Sequence, residues 1–464
     1  MERAGAEVDV CVIGAGFAGL TAAHRLAQAG RSVAVLEARD RVGGRTWTEV
    51  SADGVAIDRG GAWLGPSHSA ALALADELGV TTYKTNVAGS HLLVGDGRLQ
   101  RYKGLIPRIS PLAVLQIAAA QWRLDRMASK LPLDAPWSAR KAARWDDQTL
   151  GSWLSRTHIR SPLGRGLFDM AVRGLFAAPD AEDVSFLDLL FLVRAHGKIE
   201  HLFSIEGGAQ EILVDGGLGG MAQRLAALLG DAVELSAPVR SITHGADRVV
   251  VTTDRTTVTA RRAVVAVPPA LVLDIDFDPV LPEDRVALCT RAVAGVETKT
   301  IVVYDTPFWR AEGLSGQSAE PGSPSEVTID ASPSRPSHGV LASFTFGRVA
   351  QRLDAMSAGA RRAAVLDVLA SRFGVRAASP VAFVETPWWQ EPWSRGCSVA
   401  HFPKGVLTRY GPLLRAPLGS IHWAGTETAT LAHGAVEGAI LSGERAAREV
   451  LDAIGADSSR RSSA

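Results

Sequence analysis

The first residues that could do chemistry are glycines near the start of the chain. Gly14, Gly16 and Gly19 follow the pattern Gly-x-Gly-x-x-Gly between an apolar run and a helical pattern. The first glycine of such a motif permits a tight turn, the second lets the backbone approach a pyrophosphate, and the third allows close packing of helix on strand. The helix N-terminus then presents N–H groups and a partial positive charge to the phosphates. The motif predicts a dinucleotide site.

The elements around these glycines support the same prediction. Val8–Ile13 has the pattern of a buried strand, Phe17–Gln28 has helical spacing, and Arg31–Leu36 has the pattern of a second strand. Glu37 follows that strand, at the place where a carboxylate accepts hydrogen bonds from the hydroxyls of a ribose. Strand, turn, helix and strand together form a βαβ unit, which is much stronger evidence than an isolated glycine motif.

A second glycine pair distinguishes FAD from NAD. Gly43 and Gly44 lie in the run from Arg39 to Arg45, just downstream of Glu37. A further glycine pair followed by an arginine suits the phosphates and ribityl chain of a long, extended cofactor, and an NAD enzyme has no need of it. The sequence therefore predicts FAD, and this region resembles the glutathione-reductase-type group of FAD proteins.

Composition excludes several other classes of protein. The chain has 464 residues, too many for one ordinary core, and its 49 Lys and Arg balance 49 Asp and Glu. We therefore expect no nucleic-acid partner. Three scattered cysteines favour neither a disulfide framework nor a metal site, and they fit a reducing, cytoplasmic setting. We find no signal peptide and no apolar run as long as a membrane span, so no membrane anchor is expected.

The order of strand and helix patterns predicts a mixed α/β fold of two interleaved domains. A Rossmann-like FAD-binding domain is expected from three segments, 1–82, 212–292 and 393–455. A substrate-binding domain of mixed sheet and helices is expected from 83–211 and 293–392, with the substrate cavity at the interface between the domains. We also expect a final helix over Gly438–Ile454, a disordered tail over 456–464, and a surface loop over the Gly-, Ser- and Pro-rich stretch Glu312–His338.

Longer strings of residues, in fixed order, narrow the prediction to one family. They include Asp58-x-Gly60-Gly61-Ala62-Trp63, Pro307-Phe308-Trp309-Arg310, Phe402-Pro403-x-Gly405, Ala424-Gly425-Thr426-Glu427-Thr428-Ala429-Thr430 and Glu437-Gly438-Ala439. With them the chain resembles the flavin-dependent monoamine oxidase family from about Val8 to Leu451. The resemblance implies hydride transfer from an amine to FAD, which gives an imine that is hydrolysed to an aldehyde or ketone. It also implies that dioxygen reoxidises the flavin and forms hydrogen peroxide.

The resemblance implies which residues hold the cofactor. They are Gly14, Ala15, Gly16, Gly19, Glu37, Arg39, Gly43, Gly44, Arg45, Gly61, Ala62, Trp63, Val239, Cys397, Gly425, Thr426, Glu427, Ala435 and Val436. Cys397 matches the cysteine that is joined covalently to the flavin in membrane-bound animal members. Many relatives lack it and bind FAD without a covalent bond, so a buried structural cysteine is the alternative.

Three residues are candidates for catalysis. Lys299 matches the family's lysine that holds a water near the reactive nitrogen of the flavin, where a cation would stabilise negative charge; by position alone it is a surface lysine at a strand edge. Trp388 matches a tryptophan that packs on the flavin, with core packing as the alternative. His433 could be a polar wall or a base, or simply a histidine accommodated in a Gly-Ala loop.

The chain departs from the family where two aromatic rings usually face the flavin. Those positions hold Ser398 and Ala435, so a bound amine loses a cation–π attraction of about 0.5–2 kcal/mol and gains room. The nearest replacements in sequence are His401, His433 and Trp388.

A second departure lies on the substrate side. Gln210, which we expect to line the cavity with Ser398 and Ala435, belongs to a Gln-Glu pair of the family, but the arginine that usually follows the pair is Ile212. These changes suggest a bulkier or differently shaped amine, or a slower enzyme.

Three functions stay open from the sequence. The first is an FAD-dependent amine oxidase that takes a small-molecule amine and dioxygen. The second is another flavin oxidoreductase of the same fold, such as a dehydrogenase or an amino-acid oxidase; the latter would need a cavity arginine to pair the substrate carboxylate. The third is a weakly catalytic flavin-binding protein. Dimers are common among relatives, so a homodimer is one possible assembly.

Overall fold

The computed structural model describes residues 3–51, 54–104, 109–334 and 337–462. Its strands, in chain order, are β1 (Arg3–Ile13), β2 (Val33–Leu36), β3 (Thr48–Val50), β4 (Ala56–Asp58), β5 (Trp63–Leu64), β6 (Thr82–Lys84), β7 (Ser90–Gly95), β8 (Arg98–Tyr102), β9 (Ile212–Val214), β10 (Val233–Glu234), β11 (Val239–His244), β12 (Val249–Thr253), β13 (Thr256–Val265), β14 (Asp276–Asp278), β15 (Val293–Gly295), β16 (Glu297–Tyr304), β17 (Leu314–Ala319), β18 (Val327–Asp330), β19 (Gly339–Phe346), β20 (Ala382–Pro387), β21 (Cys397–His401) and β22 (Ile421–Trp423).

The α-helices, also in chain order, are α1 (Phe17–Gln28), α2 (Ser69–Glu77), α3 (Pro111–Ala128), α4 (Ala142–Asp146), α5 (Leu150–Ser155), α6 (Pro162–Gly174), α7 (Phe186–Ala195), α8 (Ile199–Phe203), α9 (Gly217–Ala227), α10 (Pro269–Val272), α11 (Glu283–Arg291), α12 (Phe308–Ala311), α13 (Gly347–Asp354), α14 (Ala358–Phe373), α15 (Val406–Tyr410) and α16 (Val436–Ser462).

The first large sheet has the order β10-β2-β1-β13-β12-β11-β14, with β22 also paired to β13. β1 lies between β2 and β13 and is parallel to both. Its residues Val10–Ile13 are almost wholly buried because both faces of this strand are covered. Helices α1 and α16 pack on one face and join the same apolar cluster. The α/β class with a Rossmann-like sheet, and helix α1 with the predicted bounds, are confirmed.

The second large sheet has the order β20-β16-β19-β18-β17-β7-β8. Its strands come from the two segments predicted to form the substrate-binding domain, whereas those of the first sheet come from the three predicted FAD-binding segments. The domain boundaries themselves stay a prediction. Helices α3 to α8 add a third, largely helical cluster of buried side chains around Phe168, Phe186 and Leu190.

Two expectations about irregular segments were wrong. Glu312–His338 contains β17 and β18, strands inside the second sheet, because their polar side chains are paired there: the hydroxyls of Ser318 and Thr328 are hydrogen-bonded at 2.7 Å, and Asp330 accepts from Arg310. Helix α16 continues to Ser462, through most of the segment expected to be a disordered tail. A single glycine, Gly455, does not stop this helix because its cost is only about 1 kcal/mol.

Candidate active site

A cavity of about 1450 Å³ extends from the glycine motif of β1 and α1 to the second sheet and to helices α3, α6 and α8. Its volume exceeds the roughly 300–1000 Å³ of sites for drug-sized ligands, so it has room for an extended cofactor and a small substrate. The predicted residues that line it are Gly14, Gly16, Glu37, Arg39, Gly43, Gly44, Arg45, Gly61, Ala62, Trp63, Val239, Gln210, Cys397, Gly425, Thr426, His433, Ala435 and Val436.

The two glycine groups form one cradle. The backbone of Gly16 pairs with that of Gly43, and the Gly43 N–H donates to the carbonyl of Ala15 at 2.8 Å. Gly43 and Gly44 have φ angles of +93° and +58°, in the left-handed region that favours glycine. A Cβ on Gly16 would lie 3.9 Å from the Gly44 Cα, its nearest neighbour. The cradle therefore presents bare backbone to the cavity, as a pyrophosphate requires.

Two predicted cofactor contacts serve the fold of this cradle. Gly19 does not line the cavity, because a Cβ there would lie 1.9 Å from the Gly14 carbonyl oxygen, where helix meets strand. The predicted packing role of Gly19 is confirmed. Ala15 also lies off the cavity, and its N–H donates to Glu37 Oε2 at 2.7 Å. The other oxygen of Glu37 accepts from the Arg39 N–H at 2.9 Å, which holds this carboxylate at the cavity wall.

Glu427 orients Arg45. Both oxygens of the buried Glu427 accept from the Arg45 guanidinium, at 2.7 and 2.9 Å. Burial alone would raise the pKa of Glu427, but the charge and hydrogen bonds of Arg45 hold it below its ordinary value. Arg45 lines the large cavity, whereas Glu427 lines only a small neighbouring one. The fork-to-fork geometry fixes the arginine toward the cofactor region.

Cys397 lies at the start of β21 and lines the cavity. A negative charge on its sulfur would raise the pKa of both Arg45 and Lys299, so two cations lie within electrostatic range. A thiolate is the reactive form of cysteine, and nearby cations favour it. Cys397 thus lies on the cavity near two cations, in contrast to the fully buried Cys11, whose pKa burial raises to about 12.

Lys299 is a buried lysine, and the interpretation as a surface lysine is wrong. Only 2% of it is exposed, on β16, which lies between β20 and β19 in the second sheet. Its Nζ donates to the Gly60 carbonyl at 2.6 Å and lies 4.9 Å from the centre of the Trp63 ring. Burial lowers the pKa of Lys299 to about 8, although the charge of Asp58 raises it. Gly60 and Trp63 line the cavity, so the ammonium stands directly behind its wall.

Trp388 and His401 are not brought to the cavity. Trp388 is fully buried, donates from Nε1 to the Arg59 carbonyl at 2.9 Å, and packs against Gly60, where a Cβ would lie 2.8 Å from its ring. His401 is buried with its ring 6.1 Å from that of Phe176. Trp388 thus packs behind the Gly60 segment; its contact with the flavin stays a prediction.

His433 does line the cavity. Its ring is fully buried, with the ring centre 4.9 Å from that of Phe191, and burial lowers its pKa to about 4. The imidazole is therefore neutral near pH 7. Of the three residues proposed to replace the missing aromatic rings, this histidine is the one found at the cavity.

Of the two positions that usually carry the rings, Ala435 lines the cavity, as predicted. The side chain of Ser398 lies outside the part of the chain that the structure describes. Gln210 lines the cavity and donates from Nε2 to the Leu202 carbonyl at 3.3 Å. Its Oε1 is buried without a hydrogen-bond partner among the described residues, which leaves an acceptor for a ligand.

Sequence reasoning missed several residues of the substrate side. These residues, which also line the cavity, are His68, His196, Phe203, Phe344, Phe346 and Trp393. His196 directly follows the apolar pattern of α7, and His68 precedes α2. Neither position has a sequence signal of its own, because the cavity face is set by how distant helices meet.

The fold and the cavity define an FAD-binding oxidoreductase. The model of the family described as flavin containing amine oxidoreductase matches residues 17–451. The chain belongs to this family: it is a flavoprotein that oxidises amines with FAD. Among the described residues, no helix combines the length and the apolar character needed to cross a membrane.

Named relatives support membership of this family. The chain is 41% identical over 443 residues to a Mycobacterium tuberculosis protein named as a putative flavin-containing monoamine oxidase, covering 96% of each chain. It is 36% identical over 458 residues to flavin-containing amine oxidase A of Sus scrofa, covering 98% of this chain and 86% of the relative. Among solved structures, putrescine oxidase with bound putrescine has a TM-score of 0.93 at 32% identity, covering 97% of this chain and 100% of the other. Cyclohexylamine oxidase from Brevibacterium oxydans has a TM-score of 0.92 at 33% identity, covering 97% and 99%.

Proposed function

We propose that this FAD enzyme oxidises a bulky, apolar amine at a CH–NH2 or CH–NH group, with dioxygen as the final electron acceptor. The observation that carries the proposal is the apolar substrate half of the cavity, widened by Ala435. The side chains around it include Val114, Ile117, Phe168, Leu175, Phe203 and Phe346. Such a lining favours an apolar body on the amine, because burial stabilises it by about 25 cal/mol per Å². Of the two named oxidases of similar fold, cyclohexylamine oxidase is named for an amine that is closer than putrescine to the bulky, apolar substrate proposed for this chain.

When bound, FAD would supply the redox chemistry, as acceptor of a hydride from the carbon beside the amine nitrogen and as donor of the electrons to dioxygen. The chain supplies the rest. The Gly16–Gly43 cradle and Arg45 would hold the phosphates of FAD, and Glu37 would hold its ribose. The apolar walls exclude water from the reacting carbon. Lys299 holds a positive charge directly behind the Gly60–Trp63 wall at pH 7, where it would stabilise negative charge that develops in the cavity.

We further propose that Cys397 attaches the cofactor covalently. Its place on the cavity wall and its two neighbouring cations support this. Acid precipitation of the wild-type protein should leave the yellow cofactor in the pellet, and Cys397→Ala should release it. Release of all cofactor from the wild-type protein would contradict covalent attachment.

The substrate proposal is tested by a peroxide assay and oxygen consumption over a panel of amines. The panel contains cyclohexylamine, 1-aminotetralin, benzylamine, phenethylamine and putrescine. We expect the highest kcat/KM for the two bulky apolar amines, cyclohexylamine and 1-aminotetralin. A preference for putrescine would show that the substrate class is wrong. Normal FAD content without peroxide from any amine would favour a weakly catalytic flavin protein.

A further inference from the structure

Two further histidines lie on the wall of the cavity beside Ala435. His196 follows the last residue of α7, and His68 precedes the first residue of α2; both line the cavity. They are close enough that the charge of His196 would lower the pKa of His68. Their rings bring further polar atoms to the part of the wall where His433 also lies.

Hydrogen bonds tie the segments that carry the two histidines to the segments on either side of Ala435. The Ala432 N–H donates to the Ala195 carbonyl at 3.0 Å, which ties the end of α7 to the segment before Ala435. The Glu437 carboxylate accepts from the N–H groups of Ala70 and Ala71, at 3.1 and 2.7 Å, which ties the start of α2 to the segment after it. His196 and His68 therefore approach Ala435 from its two sides along the chain.

The hydrogen bonds of each ring fix its tautomer. His196 Nε2 lies 2.9 Å from the His433 carbonyl oxygen, and a carbonyl can only accept, so this nitrogen carries the proton. In the neutral ring, Nδ1 of His196 is then an acceptor, and among the described residues the hydrogen bond of this ring uses Nε2 and not Nδ1. His68 has the opposite assignment, because its Nδ1 accepts from the Gly65 N–H at 3.0 Å and its proton is left on Nε2. The lone pair of His68 is thus occupied, and that of His196 is available.

We propose that His196 is a positioning residue for the substrate amine, whose N–H donates to Nδ1 on the wall where Ala435 leaves out the usual ring. The proposal rests on the proposed amine oxidase function. A hydrogen bond and a cation–π contact have similar strength, so the imidazole can replace the attraction lost with the ring. It also needs less space than a ring stacked before the flavin, which agrees with a bulkier substrate. Burial lowers the pKa of His196, which keeps its ring neutral and its acceptor available.

A ligand that cannot react separates binding from turnover. In 1-adamantylamine the carbon that bears nitrogen has no hydrogen, so the amine can bind but cannot be oxidised; 1-methoxyadamantane has a similar body and cannot donate a hydrogen bond. Dissociation constants of both are measured on the holoenzyme by calorimetry and by the change in the flavin spectrum. We expect the wild-type protein to bind the amine more tightly than the ether. Failure to do so would contradict the proposal.

Two variants and a control test the residue itself. His196→Phe removes the acceptor and should weaken the amine by about 2- to 12-fold while leaving the ether unchanged. His196→Gln keeps a donor for the His433 carbonyl and an acceptor for the ligand, and should restore most of the affinity. His244→Gln is the matched control. His244 Nε2 is also hydrogen-bonded to a backbone carbonyl, that of Pro279 at 3.0 Å, and His244 does not line the cavity. Equal weakening of amine and ether, or no change in either, would overturn the role of His196.

The same variants distinguish this proposal from the proposed function. Anaerobic reduction of the flavin by the best amine of the panel should show a higher apparent dissociation constant in His196→Phe and recovery in His196→Gln. If amines are oxidised but no variant discriminates amine from ether, only the role of His196 fails. If the adamantyl pair behaves as expected but no amine is oxidised, the proposed function fails and the binding role stands.

Discussion

Replacing two glycines of one motif by alanine, one at a time, should impair different properties: FAD affinity in Gly16→Ala and stability of the apoprotein in Gly19→Ala. Gly16 has φ −74° and ψ 174°, a conformation that alanine adopts, and an added Cβ would meet its nearest atom at 3.9 Å. Gly19 is in helix α1, and an added Cβ would lie 1.9 Å from the Gly14 carbonyl oxygen. The first position has space in the protein but faces the cofactor region; the second has no space in the protein.

The magnitudes follow from these contacts. Gly16→Ala should leave the unfolding free energy of the apoprotein unchanged or raise it by about 0.4–1 kcal/mol, because alanine restricts the unfolded chain. Its methyl group should weaken FAD by the cost of overpacking, about 1–3 kcal/mol, or about 5- to 150-fold in Kd. Gly19→Ala should destabilise the apoprotein by about 1–3 kcal/mol or more, because backbone must move.

Both substitutions are made in a Cys397→Ala background, so that the cofactor can be removed and added back. Urea unfolding of the apoprotein gives stability, and quenching of FAD fluorescence on titration gives Kd. Gly30→Ala is the control: nothing lies within 4 Å of its added Cβ, it is off the cavity, and its φ of +75° makes any cost purely one of stability. If Gly16→Ala binds FAD like its parent, or destabilises the apoprotein as much as Gly19→Ala, the assignment of the cradle is refuted.

Three further predictions concern charge and space around the cavity. The folded pKa of Lys299, about 8, is below its ordinary 10.5, so the folded state binds fewer protons between these values. The unfolding free energy of the wild-type protein should therefore rise relative to that of Lys299→Met as pH increases from 8 to 10.5, by up to about 3 kcal/mol. Paired urea titrations measure this difference. A difference that does not change with pH would contradict a buried, desolvated ammonium. Glu427→Gln removes the negative charge that faces Arg45 and should cost about 3 kcal/mol of unfolding free energy. Asp254→Asn breaks a solvent-exposed pair and should change the unfolding free energy far less; similar costs would refute a structural role for the buried pair. Ala435→Tyr should raise kcat/KM for phenethylamine and lower it for 1-aminotetralin, because the ring fills the widened space; parallel changes for both amines would show that Ala435 does not set the size of the substrate.

The nucleotide half of the site was predictable because its signals are local. Gly14, Gly16 and Glu37 lie on one βαβ unit, and the turn, the strand end and the helix start fix their relative places within a short stretch of chain. The polar strands β17 and β18 were not predictable by the same means. Their serines and threonines have the composition of a loop. They are strands because β17 pairs with β7 and β18 pairs with β19 in the sheet, and because hydroxyl groups bond across the β17–β18 pair.

The sequence by itself determined the cofactor, the α/β class and the family, since each depends on residue types in a fixed order. Tertiary structure decided which side chains meet in the cavity. It placed Lys299 behind the wall, Trp388 in the core, and His196 beside Ala435, although Ala435 lies far later in the chain. The physical reason is that the substrate side is built where separate helices and a second sheet converge, and burial and hydrogen bonding there depend on packing between distant segments.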